Sequence, residues 1–187
     1  TNIISKPLLS IITNISLEHS QLLGDTIAEI TVEKAGIIKE NSTVITAAEQ
    51  KEALKVIKAK AEEKKAKFIN LKQEYQFIKS SSNLTKNIIN LKKKNGQELS
   101  YELSLLGEYQ VQNTALALRA VEELNNDFPV KKNEIKKALK DIYWPARMQK
   151  ISQKPIIILD AAHNPAAFKK LLKNIAASRS EFKNLHF

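Results

Sequence analysis

The segment "LDAAHNPAAF" holds the densest chemistry in this chain of 187 residues: a carboxylate at Asp160, an imidazole at His163, then Asn164 and Pro165. An apolar run ends at Asp160, and Pro165 suits the first turn of a helix with Asn164 as its cap. Open α/β sheets bind ligands outside the carboxyl ends of their strands, and a helix N-terminus there favours an anion such as phosphate. The same residues also suit a capped turn in which Asp160 and His163 bond only to nearby backbone.

Four further residues carry candidate chemistry. Arg147, after "WPA", reads as a phosphate clamp or as an ordinary residue opening a strand. Asn113, in "GEYQVQNTAL", lies near a helix start, where capping competes with a ligand role. His19, in the polar loop "SLEHSQLLG", reads from its position as an exposed loop histidine, to which only neighbouring motifs could give a further role. In "DTIAEITVEKAGII", Ile27, Ile30, Thr31, Ile37 and Ile38 share one helical side with Lys34 in their midst. Lys34 is then either a functional amine in an apolar stripe or a snorkelling side chain near the helix C-terminus.

The elements that position these residues follow from periodicity. "LLSIITNI" and "STVITA" read as strands buried on both faces, and "AKFINL" as another strand. Between them lie a helix capped by Asp25 or Thr26 and ending near Gly36, and an amphipathic helix from Gln50 to Lys65. Strand alternating with helix predicts an α/β fold with a mostly parallel, doubly wound sheet. "EYQFIKS", "KNIINLKKK" and "QELSYELSLLG" then predict an attached antiparallel meander, with Asn95-Gly96 as a hairpin turn. Helices are expected over 111–124 and 131–142, strands around 147–152 and 156–160 (the second of them buried) and a helix from about Pro165. This last part reads as the start of a second Rossmann-like α/β domain. The expected domains are 1–143 and 144–187, with Trp144-Pro145 as the hinge.

Composition excludes several classes. Hydrophobic residues make up 43% and charged residues 27%, as in a soluble globular domain. The net charge of +10 is nearly all lysine, since Arg119, Arg147 and Arg179 are the only arginines. Base readout favours arginine, so no nucleic-acid partner is expected, while a field that steers anionic substrates remains open. There is no cysteine and no run of 18 apolar residues, so neither thiolate chemistry nor membrane insertion is expected, and the protein reads as cytoplasmic. The glycines at 24, 36, 96 and 107 cannot spell GxxxxGK[ST] or GxGxxG.

Taken in order, "ITNISLEHSQLLGDTIAEITVEKAGIIK", "LLGEYQVQNTALAL", "WPARMQKI" and "ILDAAHNPAA" resemble successive motifs of the folylpolyglutamate synthase/dihydrofolate synthase family of the Mur ligase superfamily. The resemblance implies an ATP-dependent ligase that joins L-glutamate to dihydropteroate or a folate through an acyl phosphate, with Mg²⁺ and no larger partner, monomeric at full length. It implies that His19 binds the Mg²⁺ and that Lys34 carries a carbamate facing the same ion, so that their tips approach one another. It further implies that Arg147 meets phosphate, Asp160 the ribose hydroxyls or a neighbouring cation, His163 the phosphates, and Asn113 the nucleotide.

The sequence departs from the family pattern at three places: "SLEH" replaces "GLDH", "DAAHNP" replaces "DGAHNP", requiring a negative φ at Ala161, and "GEYQ" replaces "GEHQ" at Tyr109. The family's phosphate loop and acidic metal ligand are expected before Thr1 and most of its C-terminal domain after Phe187, so these residues alone are not expected to turn over. A Mur-type peptidoglycan ligase is the alternative enzyme, and a basic binding module without catalysis the alternative from another class.

Overall fold

Three β-branched runs build the first sheet. In the computed structural model, which describes residues 2–17, 24–77, 81–82, 86–163, 165–178, 184 and 186, β1 (Leu9–Ile12), β2 (Thr43–Thr46) and β3 (Lys67–Asn70) pair in parallel in that order. α1 (Ile27–Ala35) connects the first pair and α2 (Lys51–Glu63) the second. Ile12, Ile30, Val44 and Ile57 are buried between sheet and helices, with Ala53 and Ala61 allowing α2 to approach closely. Full burial of each isoleucine contributes about 1.5–3 kcal/mol.

α1 starts at a capping box. Thr26 Oγ1 accepts the Glu29 N–H (3.2 Å) while Glu29 Oε2 accepts the Thr26 N–H (3.1 Å), which satisfies two otherwise orphaned donors. Thr26, rather than Asp25, is thus the cap. Gly36 follows the helix with φ −57°, so it does not end it by a left-handed turn; a Cβ there would lie 3.1 Å from the Asn2 side chain.

One expectation for this sheet needs correcting. β2 is buried on both faces, but in β1 Ile11 is 37% and neighbouring Leu8 61% exposed, so β1 is covered on one face only among the described residues. An apolar run reads the same in sequence whether one face or two are covered.

The meander is also present. β4 (Tyr75–Phe77), β5 (Ser81–Ser82), β6 (Asn87–Lys93) and β7 (Glu98–Leu103) form a sheet in which β6 pairs antiparallel with β7. Asn87, Ile89 and Leu91 stand opposite Leu103, Tyr101 and Leu99, all six on the buried face. At the hairpin tip the Gly96 N–H donates to Lys93 O (2.8 Å) and Gly96 has φ +86°, a left-handed position suited to glycine.

A four-residue helix, α3 (Leu71–Glu74), precedes β4, and the longer α4 (Tyr109–Leu124) and α5 (Lys132–Asp141) come after β7. β8 (Gln149–Gln153) and β9 (Ile156–Leu159) then pair antiparallel, followed by α6 (Pro165–Ala177). The expected buried strand at 156–160 is not buried: Ile156, Ile157 and Leu159 are 41%, 44% and 47% exposed. β9 has one neighbour, β8, among the described residues, so its apolar side chains lack a covering layer.

The α/β class with an antiparallel attachment thus holds. The residues gather into two compact units, 1–75 with 115–128 and 76–114 with 129–187.

Candidate active site

In the second unit, Asp160 organises the segment on which it lies. It follows β9, and its two carboxylate oxygens accept from backbone on either side: Oδ2 from the Met148 N–H and Oδ1 from the Ala162 N–H, each at 2.8 Å. The Ala161 N–H donates to Ala146 O at 2.8 Å, joining the approach to β8 to the exit of β9. Arg147 lies between Ala146 (φ +54°) and Met148 (φ +47°). Left-handed φ values at two non-glycine residues are costly, and the Asp160 contact to Met148 offsets part of that cost. Arg147, two residues ahead of β8 rather than at its first position, is exposed.

His163 is exposed, with Nδ1 3.0 Å from Ala161 O. A carbonyl can only accept, so Nδ1 carries a proton and donates to it. The proposed cap, Asn164, lies outside the described residues; α6 begins at Pro165 as the sequence indicated.

Tyr109, noted in the sequence only as a departure from "GEHQ", belongs to this site. It opens α4 and is partly buried. Burial pushes its phenol above the ordinary value, the Asp160 carboxylate adds to the rise, and Arg147 and a Gln110 hydrogen bond oppose it. Asp160 and Arg147 therefore both act on the same hydroxyl. Asn113 lies in the second turn of the helix, not at its cap as the sequence allowed. The helix starts at Tyr109, two residues earlier than expected; Asn113 is exposed and its Nδ2 donates to Gln110 Oε1 (3.1 Å).

The structure thus brings Tyr109, Arg147, Asp160 and His163 into one part of the second unit, with an exposed cation, a carboxylate held by two amides, and an exposed imidazole. Such a set can hold an anion and a hydroxyl-bearing group together. Ala161 is not among the non-glycine residues with positive φ, as its side chain demands.

Lys34 is elsewhere, in the first unit, and its setting differs from the expected one. It is exposed, not embedded in an apolar stripe. α1 ends at Ala35, so Ile37 and Ile38 leave the helical register that placed them around Lys34. The lysine instead lines an open cavity of about 440 Å³ with Asn2, Ile12, Thr13, Ile15 and Glu33. His19 lies outside the described residues, so its approach to Lys34 has no geometry. Among the described residues no group of three or more His, Cys, Asp or Glu side chains could hold a metal ion.

The chain is 36% identical over 180 residues to dihydrofolate synthase/folylpolyglutamate synthase of Bacillus subtilis, covering 94% of this chain and 41% of the relative. It is 32% identical over 174 residues to folylpolyglutamate synthase of Lacticaseibacillus casei, covering 92% and 40%. The chain thus spans about two fifths of the length of these curated relatives. A solved FPGS–AMPPCP–folate complex superposes with a TM-score of 0.85 at 29% identity, over 98% of this chain and 44% of that one. Residues 2–121 match the Mur ligase middle domain, and the chain belongs to that family.

Proposed function

We propose that the whole protein is an ATP-dependent ligase that adds L-glutamate to dihydropteroate or a folate. One observation carries this reading: the chain superposes over nearly its full length on a relative solved with an ATP analogue and folate. The curated relatives, named for folate-glutamate ligation, agree with it.

In the proposed reaction the substrate carboxylate takes the γ-phosphoryl group of ATP, giving an acyl phosphate and ADP. The amine of glutamate then attacks the acyl carbon, the amide bond forms, and inorganic phosphate leaves. All the reacting groups are anionic except that amine, so catalysis needs fixed positive charge and donors aimed at phosphate. Arg147 is assigned to phosphate, Asp160 to the ribose hydroxyls or a neighbouring cation, His163 to the phosphate region and Asn113 to the nucleotide. Tyr109, beside Arg147 and Asp160, joins them.

Mg²⁺ is the expected companion of ATP, with His19 and Lys34 as this chain's contribution. An ammonium repels the ion, whereas a carbamate formed with CO₂ would supply oxygen donors of the kind Mg²⁺ prefers. The open cavity at Lys34 leaves room for that group. The described residues do not complete a shell of oxygen ligands, so no step is assigned to the ion. The domains remain proposed as 1–143 and 144–187, and the whole protein as a cytoplasmic monomer. Among the described residues no helix is long and apolar enough to cross a membrane.

The test is pteroate- or folate-dependent ADP release by the full-length protein with glutamate as acceptor. Arg147→Ala should lower kcat/KM for ATP about a hundredfold, two charge-assisted contacts' worth. Turnover only with a UDP-linked peptidoglycan precursor would overturn the assignment.

A further inference from the structure

The loop 105–108, between β7 and α4, is held from two sides by asparagine amides. From β6, Asn87 Nδ2 donates to Leu105 O (2.7 Å) and Gly107 O (3.1 Å). From α6, Asn174 Oδ1 accepts the Glu108 N–H (2.8 Å), while Lys173 pairs with the Glu108 carboxylate at 2.5 Å. Gly107 has φ +101°, and a Cβ there would stand 2.7 Å from Tyr109 Cε1 and 3.3 Å from Met148 Sδ. The loop backbone is therefore the surface against which the Tyr109 ring and Met148 rest.

Asn87 is out of place by ordinary packing logic. It is fully buried, on the face that otherwise carries Ile89, Leu91, Leu99, Tyr101 and Leu103, and its Oδ1 has no hydrogen-bond partner among the described residues. A leucine would avoid that cost. What a leucine lacks is a donor for two converging carbonyls. Asn174, only 8% exposed, supplies the complementary acceptor.

We infer that Asn87 and Asn174 are positioning residues for the nucleotide site: together they fix the loop 105–108, and through it the placement of Tyr109 beside Arg147 and Asp160. The inference rests on the nucleotide reading above for its functional half and on hydrogen bonding alone for its structural half. Neither residue needs to touch the nucleotide.

The two halves are tested separately. In the chain of 187 residues, Asn174→Ala should speed hydrogen exchange of the Glu108 amide about tenfold, with the amides of the β6–β7 ladder unchanged. Asn174→Asp, which keeps an acceptor oxygen, should stay close to the parent. Asn87→Asp turns a donor towards two carbonyls into an acceptor and should loosen the same loop; if it does not fold, the Asn174 pair decides. An unchanged Glu108 amide in folded Asn174→Ala overturns the clamp. In the full-length protein, Asn174→Ala should raise the KM for ATP about tenfold while kcat stays within about twofold. A loosened loop with an unchanged KM overturns the positioning role. Absence of any ATP-dependent ligation would sink the proposed function, while the exchange measurement would still decide the clamp.

Discussion

Residues 1–75 and 115–128 carry 12 of the chain's 30 basic and 13 of its 20 acidic residues; residues 76–114 and 129–187 carry 18 and 7. The first unit is close to neutral, and the whole positive excess belongs to the second. The core of the first unit and the candidate site of the second also differ in what holds them. The first relies on isoleucine, valine and alanine packed between sheet and helices. The candidate site of the second relies on individual polar contacts to backbone, from Asp160, Asn87 and Asn174. A packed core tolerates small adjustments, whereas a hydrogen bond is lost with a single atom. The unit that carries the excess charge is also the one in which an anionic nucleotide is proposed to bind, which suits a steering field.

The contrast can be broken most sharply in the apolar unit. Ile57→Ala, at a fully buried position on α2, should cost about 2–5 kcal/mol in denaturant unfolding. The loss should show as weakened protection of β1–β3. Protection that falls equally at the Asp160 turn would mean the units do not differ in the way described.

A smaller effect is expected from Asp160→Ala. It leaves the Met148 and Ala162 amides without their acceptor and should cost about 2 kcal/mol. It should also bring the Tyr109 phenol down towards 10.0, because the carboxylate that adds to its rise is gone. The sign for stability follows. A phenol whose folded pKa is raised contributes stability below the unfolded value and loses it as pH climbs through the folded one. The parent should therefore weaken in alkali above about pH 10, and the variant less so. An ultraviolet tyrosinate titration of both proteins checks this.

Thr26→Ala removes one half of the capping box and should cost about 1 kcal/mol, with fraying confined to the first turn of α1. The smallest effect concerns Glu123, on α4. Burial pushes its carboxyl up, but hydrogen bonds from Lys67 and Arg119, with their charges, outweigh this and hold it below 4.5. A lowered carboxyl stabilises above its unfolded pKa and loses that contribution as pH falls through the folded value. Glu123→Gln should flatten the acid limb of the stability profile below about pH 4.5 and leave the alkaline limb unchanged. An acid limb identical to the parent's would remove this ion pair from the account of the first unit.

Legibility in the sequence follows the same division. The β1–α1–β2–α2–β3 order and the Asn95-Gly96 hairpin could be read because period and turn chemistry are local signals. Lys34 falls in an apolar stripe only if the 100° register continues past Ala35, where the helix ends. The exposure of β9 is not legible in its sequence, because an apolar run shows the character of a strand but not the number of layers over it. Asp160, His163 and Arg147 were found through residue type and position at strand and helix ends.

Asn87 was missed, although its parity with Ile89 and Leu91 in "KNIINLKKK" marks a polar residue on a buried face. Asn174 had no such signal. Its partner Glu108 is 66 residues away, and no local pattern encodes that contact. Tyr109 stood in the sequence only as a motif mismatch; its meaning depends on Gly107, Met148, Arg147 and Asp160 converging from three stretches of chain.

Met148 is the chain's only methionine, and it is buried against Gly107 with its amide on Asp160. Nature has thereby placed a single reporter at the site. An isotope-labelled methionine methyl would give one resonance, unambiguous without assignment, from the spot where the loop, the carboxylate and the tyrosine ring meet. Adding ATP analogues, folates or salt to the unmutated protein would then be read directly at that spot, one chemical shift at a time.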